Sequence, residues 1–210
     1  MLLDYLAEGI DIDGIDTSPE MLAICRQKAQ NLGLQPTLFQ QKMEALDVPR
    51  RYRTIIVPSS SFQLVTDPND AAEAMRRFFD HLESGGTLVM PFMILWNGPT
   101  NEPIVSREWE MNQERIRPGD GVLIRRWTRS TYNLPQQLEH TEDRYEVIRE
   151  GEIIDSEYHI RSPATRWYTQ AQAIHLYEEA GFTNIRVVRK FSQELASDSD
   201  TIFSILGTRS

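Results

Sequence analysis

An α/β fold, with helices on both faces of a mostly parallel sheet and an antiparallel β flap added to it, is predicted by three features of this chain. Strand and helix patterns alternate through the first half, from Gly9 to Met90. Two segments in that half, Thr54-Ile55-Ile56-Val57 and Thr87-Leu88-Val89-Met90, are the continuous apolar runs of strands buried on both faces. From Pro91 onward the apolar residues fall at alternate positions instead, as in strands with one solvated face.

Leu2, Leu3 and Leu6 have the spacing of a helix that packs inward and stops at Gly9. Gly9 to Asp16 reads as a short strand ending in a carboxylate. Ser18 or Thr17 then caps a helix with Pro19 in its first turn, which runs from Glu20 with Met21, Leu22, Ile24 and Cys25 toward one face until Gly33. Thr37-Leu38-Phe39-Gln40 is a short strand, and the Thr54 strand follows a loop from Leu46 to Arg53 and stops at Pro58. Asp67-Pro68 opens a helix whose Ala71, Ala74, Met75, Phe78, Phe79 and Leu82 keep i, i+3, i+4, i+7 spacing, with Gly85-Gly86 as its close.

Pro99, Pro103, Pro118 and Gly119 punctuate a connecting stretch. Gly121 to Tyr132, Gln137 to Arg149 and Glu152 to Arg161 are then strands of the flap, with a hairpin turn at Glu150-Gly151. A last helix after Thr169 buries Ala173, Ile174, Tyr177 and Ala180 and ends at Gly181-Phe182; Asn184 to Val188 and Thr201 to Leu206 close the chain as strands. The main sheet is therefore expected from the segments at Ile10, Leu38, Ile55, Leu88, Ile185 and Phe203. One domain is expected over 1–210, divided into an α/β half (1–95), an antiparallel flap (96–165) and a closing helix with strands (166–210).

At 210 residues, with 40% hydrophobic and 25% charged content, the chain supports one core of respectable size. A net charge of −9 argues against nucleic acid as the main partner. Arg125, Arg126 and Arg129 are followed at once by the acidic run Glu139 to Asp143, which reads as a solvated sheet face. No apolar run approaches the ~20 residues of a membrane span, so no membrane partner is expected. The lone Cys25 excludes an internal disulfide and gives no metal-ligand spacing. No metal is expected, and a reducing, cytoplasmic setting fits.

In doubly wound folds an acid at the tip of a strand accepts hydrogen bonds from ribose hydroxyls, while the first strand-to-helix turn holds phosphate or carboxylate. Asp16 is such an acid, although a carboxylate there also serves as a helix cap or dipole partner. Only fifteen residues precede Asp16, and they contain no glycine-rich loop. A first strand with its glycine turn is therefore expected to be missing, as in a fragment or an internal start. Ser59 to Ser61 either end a strand or line its mouth, and Met43 suits a core as well as a ligand wall. His140 and His159 are candidate general bases that more often serve as surface or structural residues. Trp96, Trp109, Trp127, Trp167 and Tyr168 suit an acceptor pocket or packing.

The chain resembles the class I S-adenosylmethionine-dependent methyltransferases of small-molecule type. The resemblance lies in Asp16-Thr17-Ser18-Pro19-Glu20-Met21-Leu22, Met43-Glu44, Thr54-Ile55-Ile56-Val57-Pro58-Ser59-Ser60-Ser61-Phe62 and Gly85-Gly86-Thr87-Leu88-Val89, and in the stretch from Trp167-Tyr168-Thr169 to Ala180-Gly181-Phe182. It implies a Rossmann-like fold and S-adenosyl-L-methionine as cofactor. Asp16 would hold the donor's ribose, Thr17 and Met21 would line the same wall, Met43 and Glu44 would meet adenine, and Ser59 and Ser60 would lie beside the reactive methyl. Ser61, Phe62, Trp96 and Tyr168 would contact the acceptor, a small molecule for which an amine is the sharper reading. No catalytic residue is assigned, and a homodimer is allowed. Lys42 departs from the family pattern, because many relatives place there an aspartate that accepts the adenine amino group and a lysine cannot accept. A non-catalytic remnant of the fold and a nicotinamide-dependent dehydrogenase are the alternatives.

Overall fold

The computed structural model describes residues 1–210. Three sheets organise the chain. The first holds two parallel strands, β1 (Asp13–Asp16) and β2 (Thr37–Gln40), paired from Asp13 opposite Thr37 to Asp16 opposite Gln40. Helix α1 (Leu2–Ala7) lies over them because Gly14 lacks a side chain: a Cβ there would meet Leu2 and Leu38 at 2.8 and 2.7 Å. Helix α2 (Pro19–Asn31) follows β1, its amide at Met21 capped by Ser18 Oγ at 3.1 Å, and buries Leu22 and Ala29.

The second sheet has the order β10-β11-β4-β3, from β3 (Tyr52–Ile56), β4 (Leu82–Met93), β10 (Phe182–Arg189) and β11 (Ile202–Arg209). β3 runs parallel to β4, whereas β11 is antiparallel to both β4 and β10. Leu88, Met90 and Phe92 of β4 and Phe203 and Ile205 of β11 enter one core with α3 (Pro68–Asp80) and α4 (Gln170–Glu179). Both helices are capped as their sequences suggest, α3 by Asp67 and α4 by a Thr169–Gln172 capping box. Arg209 Nη1 donates to the carbonyls of Phe79, Asp80 and Leu82, satisfying the chain where α3 ends.

The third sheet is the flap, and it is larger than expected. It contains β5 (Ile104–Ser106), β6 (Glu110–Ile116), β7 (Leu123–Asn133), β8 (Leu138–Arg149) and β9 (Glu152–Arg166), all paired antiparallel. Glu150 and Gly151 turn the β8–β9 hairpin with φ of +53° and +86°, the backbone expected of a two-residue hairpin loop.

Three expectations are corrected. Ile10 precedes the first strand, which begins at Asp13. Gly85 and Gly86 do not close α3: the helix ends at Asp80, and Leu82, assigned above to its apolar face, is buried as the first residue of β4. The glycines instead form an irregularity within β4, where a Cβ at Gly86 would meet the Tyr52 carbonyl oxygen at 3.0 Å. The main sheet is also divided in two. β1 pairs only with β2 and β3 only with β4, so each keeps a free edge. Side chains tie the starts of these strands together: Arg50 binds Asp11 at 2.5 Å and Asp13 at 2.9 Å, and Tyr52 Oη donates to Asp13 at 2.6 Å. Further along, Ile15 and Ile56 remain 41% exposed, which shows that no strand covers this opening. No helix is long and apolar enough to cross a membrane.

The flap is fastened to the second sheet by a residue the sequence did not single out. Gln63 is 1% exposed; its Oε1 accepts from Met93 N at 2.7 Å, and its Nε2 donates to the carbonyls of Met93 and Arg166 at 2.9 and 3.0 Å. Gln63→Leu keeps the bulk but orphans these main-chain groups. It is expected to lower unfolding free energy by about 1 to 3 kcal/mol, measured by urea denaturation, and an unchanged midpoint would contradict this fastening role.

Candidate active site

The carboxyl ends of β1, β2 and β3 carry most of the sequence-predicted site residues. Asp16 ends β1 half-buried, its Oδ1 accepting the Ser18 amide at 2.9 Å while Oδ2 has no hydrogen-bond partner in the chain. One carboxylate oxygen thus organises the turn, and the other stays free to accept from a ligand. Thr17 is exposed beside it, its carbonyl accepting from Gln40 Nε2 at 3.3 Å, and Met21 is exposed on the first turn of α2. After β2, the single 3-10 turn Met43–Ala45 places Met43 half-exposed against the margin of the core. Lys42 Nζ pairs with Glu44 at 3.2 Å, so it partly neutralises that acceptor.

β3 ends in a strained turn. The Val57 amide still bonds to the Val89 carbonyl at 3.0 Å, then Pro58 stops the ladder. Ser59 and Ser60 follow with φ of +55° and +56°, a left-handed conformation that costs a non-glycine residue of order 1 to 3 kcal/mol. Two contacts hold it: the amide and hydroxyl of Ser61 both donate to the Pro58 carbonyl, at 3.0 and 2.7 Å. Phe62 anchors it from below, fully buried with its ring 6.0 Å from Phe92 and from Tyr168. The amides of Ser59 and Ser60 have no acceptor in the chain.

Phe62 and Tyr168 are thereby corrected as acceptor contacts. Both rings lie in the core beneath the serine turn, driven there by their apolar area, and shape the site only through what they support. The Tyr168 hydroxyl has no partner, and burial pushes its pKa up to about 12.

Trp96, just beyond β4, remains partly open. It packs 5.5 Å from Tyr132 of the flap, which in turn meets the buried Trp167 at 6.1 Å. The Arg107 guanidinium stands 5.6 Å from the Trp96 ring and 5.8 Å from the Tyr132 ring, with no carboxylate in ion-pair range. From there an open cleft of about 400 Å³ extends over the flap, with Arg126, Ser130, Glu139, Thr141 and Arg161 in its lining. Ser130 Oγ donates to Glu139 at 2.9 Å, while the buried Thr141 hydroxyl has no partner. Arg126, Thr128 and Arg161 all donate to the buried Asp143. Burial alone would raise the Asp143 pKa, but these hydrogen bonds outweigh it and hold the carboxyl below its usual range.

This face of the flap was only partly legible. The arginines taken together as one solvated face are split by the strand's alternation: Arg126 lines the cleft, while Arg125 and Arg129 point to the other side with Glu114 and Glu142. Trp109 and Trp127 also belong to that other side, stacked with Arg129 and Arg144, and do not line the cleft. His140 bonds Ser162 at 2.6 Å and His159 meets Glu157 at 3.1 Å, and neither histidine lines the cleft. Arg107 carried no sequence signal beyond its charge.

Comparison with known proteins agrees with this geometry. Residues 1–86 match the family model described as a methyltransferase domain. No curated protein matches the chain. Among solved structures, an S-adenosylmethionine-dependent methyltransferase from Clostridium acetobutylicum superposes with a TM-score of 0.70 at 18% identity, over 92% of this chain and 73% of that one. A sugar N-methyltransferase from a Streptoalloteichus species gives 0.67 at 19% identity, over 99% and 76%. An amino pentose methyltransferase from Micromonospora echinaspora gives 0.65 at 17%, over 99% and 78%. Residues 1–86 thus carry the match to a methyltransferase domain, and nearly the whole chain shares the fold of S-adenosylmethionine-dependent methyltransferases of known structure.

Proposed function

We propose that the chain methylates a nitrogen of a small polar acceptor, with residues 1–95 holding the donor, 96–165 closing over the acceptor, and 166–210 completing the core. The observation that carries this reading is the serine turn at the carboxyl end of β3, which leaves two backbone amides unused and is followed at once by Gln63, whose bonds to Met93 and Arg166 tie it to the flap. The amine assignment is supported by the sugar N-methyltransferase and amino pentose methyltransferase among the structural neighbours. We also propose a homodimer and a cytoplasmic setting; the unpaired Cys25 is consistent with a reducing compartment.

S-adenosylmethionine supplies an activated methyl on a sulfonium, so the protein's task is to position and desolvate the acceptor rather than form a covalent intermediate. The residues present fit the nucleoside end of that donor: Asp16 Oδ2 is free to accept from ribose hydroxyls, with Thr17 and Met21 on the same wall and Met43 and Glu44 at adenine. Ser59 and Ser60 present unused amides near the place of transfer, and Ser61 and Trp96 face the acceptor side. The amino-acid end finds no glycine-rich turn in residues 1–210, and the sheet is open between β1 and β3. Because association must offset several kcal/mol of lost freedom, half a set of contacts costs far more than half the affinity.

Calorimetry with S-adenosylmethionine and its demethylated product tests this reading. Weak binding is expected for the 210-residue chain, and tighter binding with a raised Tm for a version carrying a strand and glycine-rich turn ahead of Met1. No binding by either form would favour a non-catalytic module, and nicotinamide nucleotide binding in its place would favour a dehydrogenase. In the tighter-binding form, Asp16→Ala should weaken donor binding by about 1 to 3 kcal/mol without loss of fold by circular dichroism; unchanged affinity removes Asp16 from the site. Arg107→Ala should raise the acceptor KM and leave donor affinity unchanged, and an unaltered KM would exclude Arg107 from acceptor binding.

A further inference from the structure

β9 is a long edge strand left bare. It pairs with β8 on one side only, and Glu152 to Pro163 are exposed on both of its faces. Ile153, Ile154, Tyr158 and Ile160 are each more than half exposed. An edge of this length and apolarity is a template for strand addition, and proteins ordinarily blunt or cover it. The charges here are arranged differently from a blunted edge. Along one face run Asp155, Glu157, His159 and Arg161, acidic in the first half and basic in the second.

We propose that β9 pairs antiparallel with β9 of a second copy of this chain about a two-fold axis at Tyr158, joining the two flaps into one continuous sheet. The inference rests on the homodimer reading and gives that dimer its surface. A two-fold axis normal to the sheet brings residues of the same face opposite each other, so only a few registers exist. Centred on Ser156, the pairing sets Asp155 against the partner's Glu157; centred on Glu157, it sets that residue against itself. Centred on Ile160, it sets His159 against the partner's Arg161. Centred on His159, it sets that residue against itself and leaves Asp155 opposite the partner's uncharged Pro163.

The register centred on Tyr158 matches every charge. Asp155 faces the partner's Arg161 and Glu157 faces the partner's His159, each pair occurring twice by symmetry. Opposite charges directly across strands stabilise pairing and like charges oppose it, so the sequence of β9 selects one register. Arg161 can serve both partners, because only its Nη2 is engaged by Asp143. The second copy also takes up the free edge and covers the exposed isoleucines, which an unrelated strand without the matching charge order would do less well.

Cysteine cross-linking reads this register directly. In a Cys25→Ser background, Tyr158→Cys places two thiols opposite each other, where paired Cα atoms lie about 4.5 to 5.5 Å apart, within the range of a disulfide. Ser156→Cys places its two copies four residues apart along the strands, about 13 Å, and out of reach. The expected result is a dimer of the unaltered chain in sedimentation, oxidative cross-linking of the Tyr158→Cys protein and none of the Ser156→Cys protein. Asp155→Arg should weaken the dimer by at least about tenfold in Kd, since it sets arginine against arginine twice. A dimer that fails to cross-link at position 158 overturns this interface but keeps the homodimer; a monomer at high micromolar concentration overturns both. Neither outcome bears on donor binding, which calorimetry measures separately.

Discussion

The architecture depends on how the chain leaves β3. Pro58 ends the parallel ladder, two left-handed serines turn the backbone, and the next residues deliver Phe62 and Gln63 into the interior. Phe62 secures the turn to the aromatic core with Phe78, Phe92 and Tyr168. Gln63 satisfies main-chain groups at the ends of β4 and β9, where no ladder continues. A buried amide making three bonds to backbone is stable only if all three form together, so the turn, the sheet and the flap are set as one unit. The two serines can therefore hold an unfavourable backbone conformation at the end of β3.

The second sheet and the flap follow different physical rules. Near the second sheet the residues are apolar and interlocked, with Tyr177 bonded to the Ile205 carbonyl and Arg209 closing the end of α3. On the flap, the buried residues include Asp143, Glu146 and Ser130, held by charge-assisted bonds across strands. Such a surface gives little hydrophobic stabilisation but carries directed donors and acceptors. The first sheet is joined less closely. Phe39 of β2 packs against the margin of the core, while Arg50, Tyr52 and two aspartates link the strand starts, and the Arg50 guanidinium holds the Asp11 carboxyl below its usual pKa through their hydrogen bonds. Exposed ion pairs of this kind contribute modestly, so the opening between β1 and β3 is bridged more than it is packed.

Much of this was legible in the sequence where local chemistry and long-range packing agree. The caps at Ser18, Asp67 and Thr169, the buried β4 and β11 segments and the Glu150-Gly151 hairpin appear where their residues place them. The failures have specific causes. Gly85-Gly86 after an amphipathic helix has the composition of a helix stop, but His81 already ends α3, and pairing of Leu82 with Tyr52 of β3 starts β4 ahead of the glycines. Phe62 and Tyr168 stood beside candidate ligand residues in sequence, yet ring burial took them inward. Gln63 had no periodic signal, because its role comes from carbonyls 30 and 103 residues away. The separation of Arg126 from its neighbours Arg125 and Arg129 could have been read from strand alternation alone.

The central claim is that one donor site is assembled at the carboxyl ends of β1, β2 and β3, with the serine turn as its inner wall. Backbone amide chemical shifts during titration with S-adenosylhomocysteine test it most directly. The account predicts saturable shifts grouped at Asp16 to Ser18, Met43 to Glu44 and Ser59 to Ser61, with the far edge of the flap around β9 unmoved. Shifts confined to the flap, or scattered without the first two groups, would contradict it.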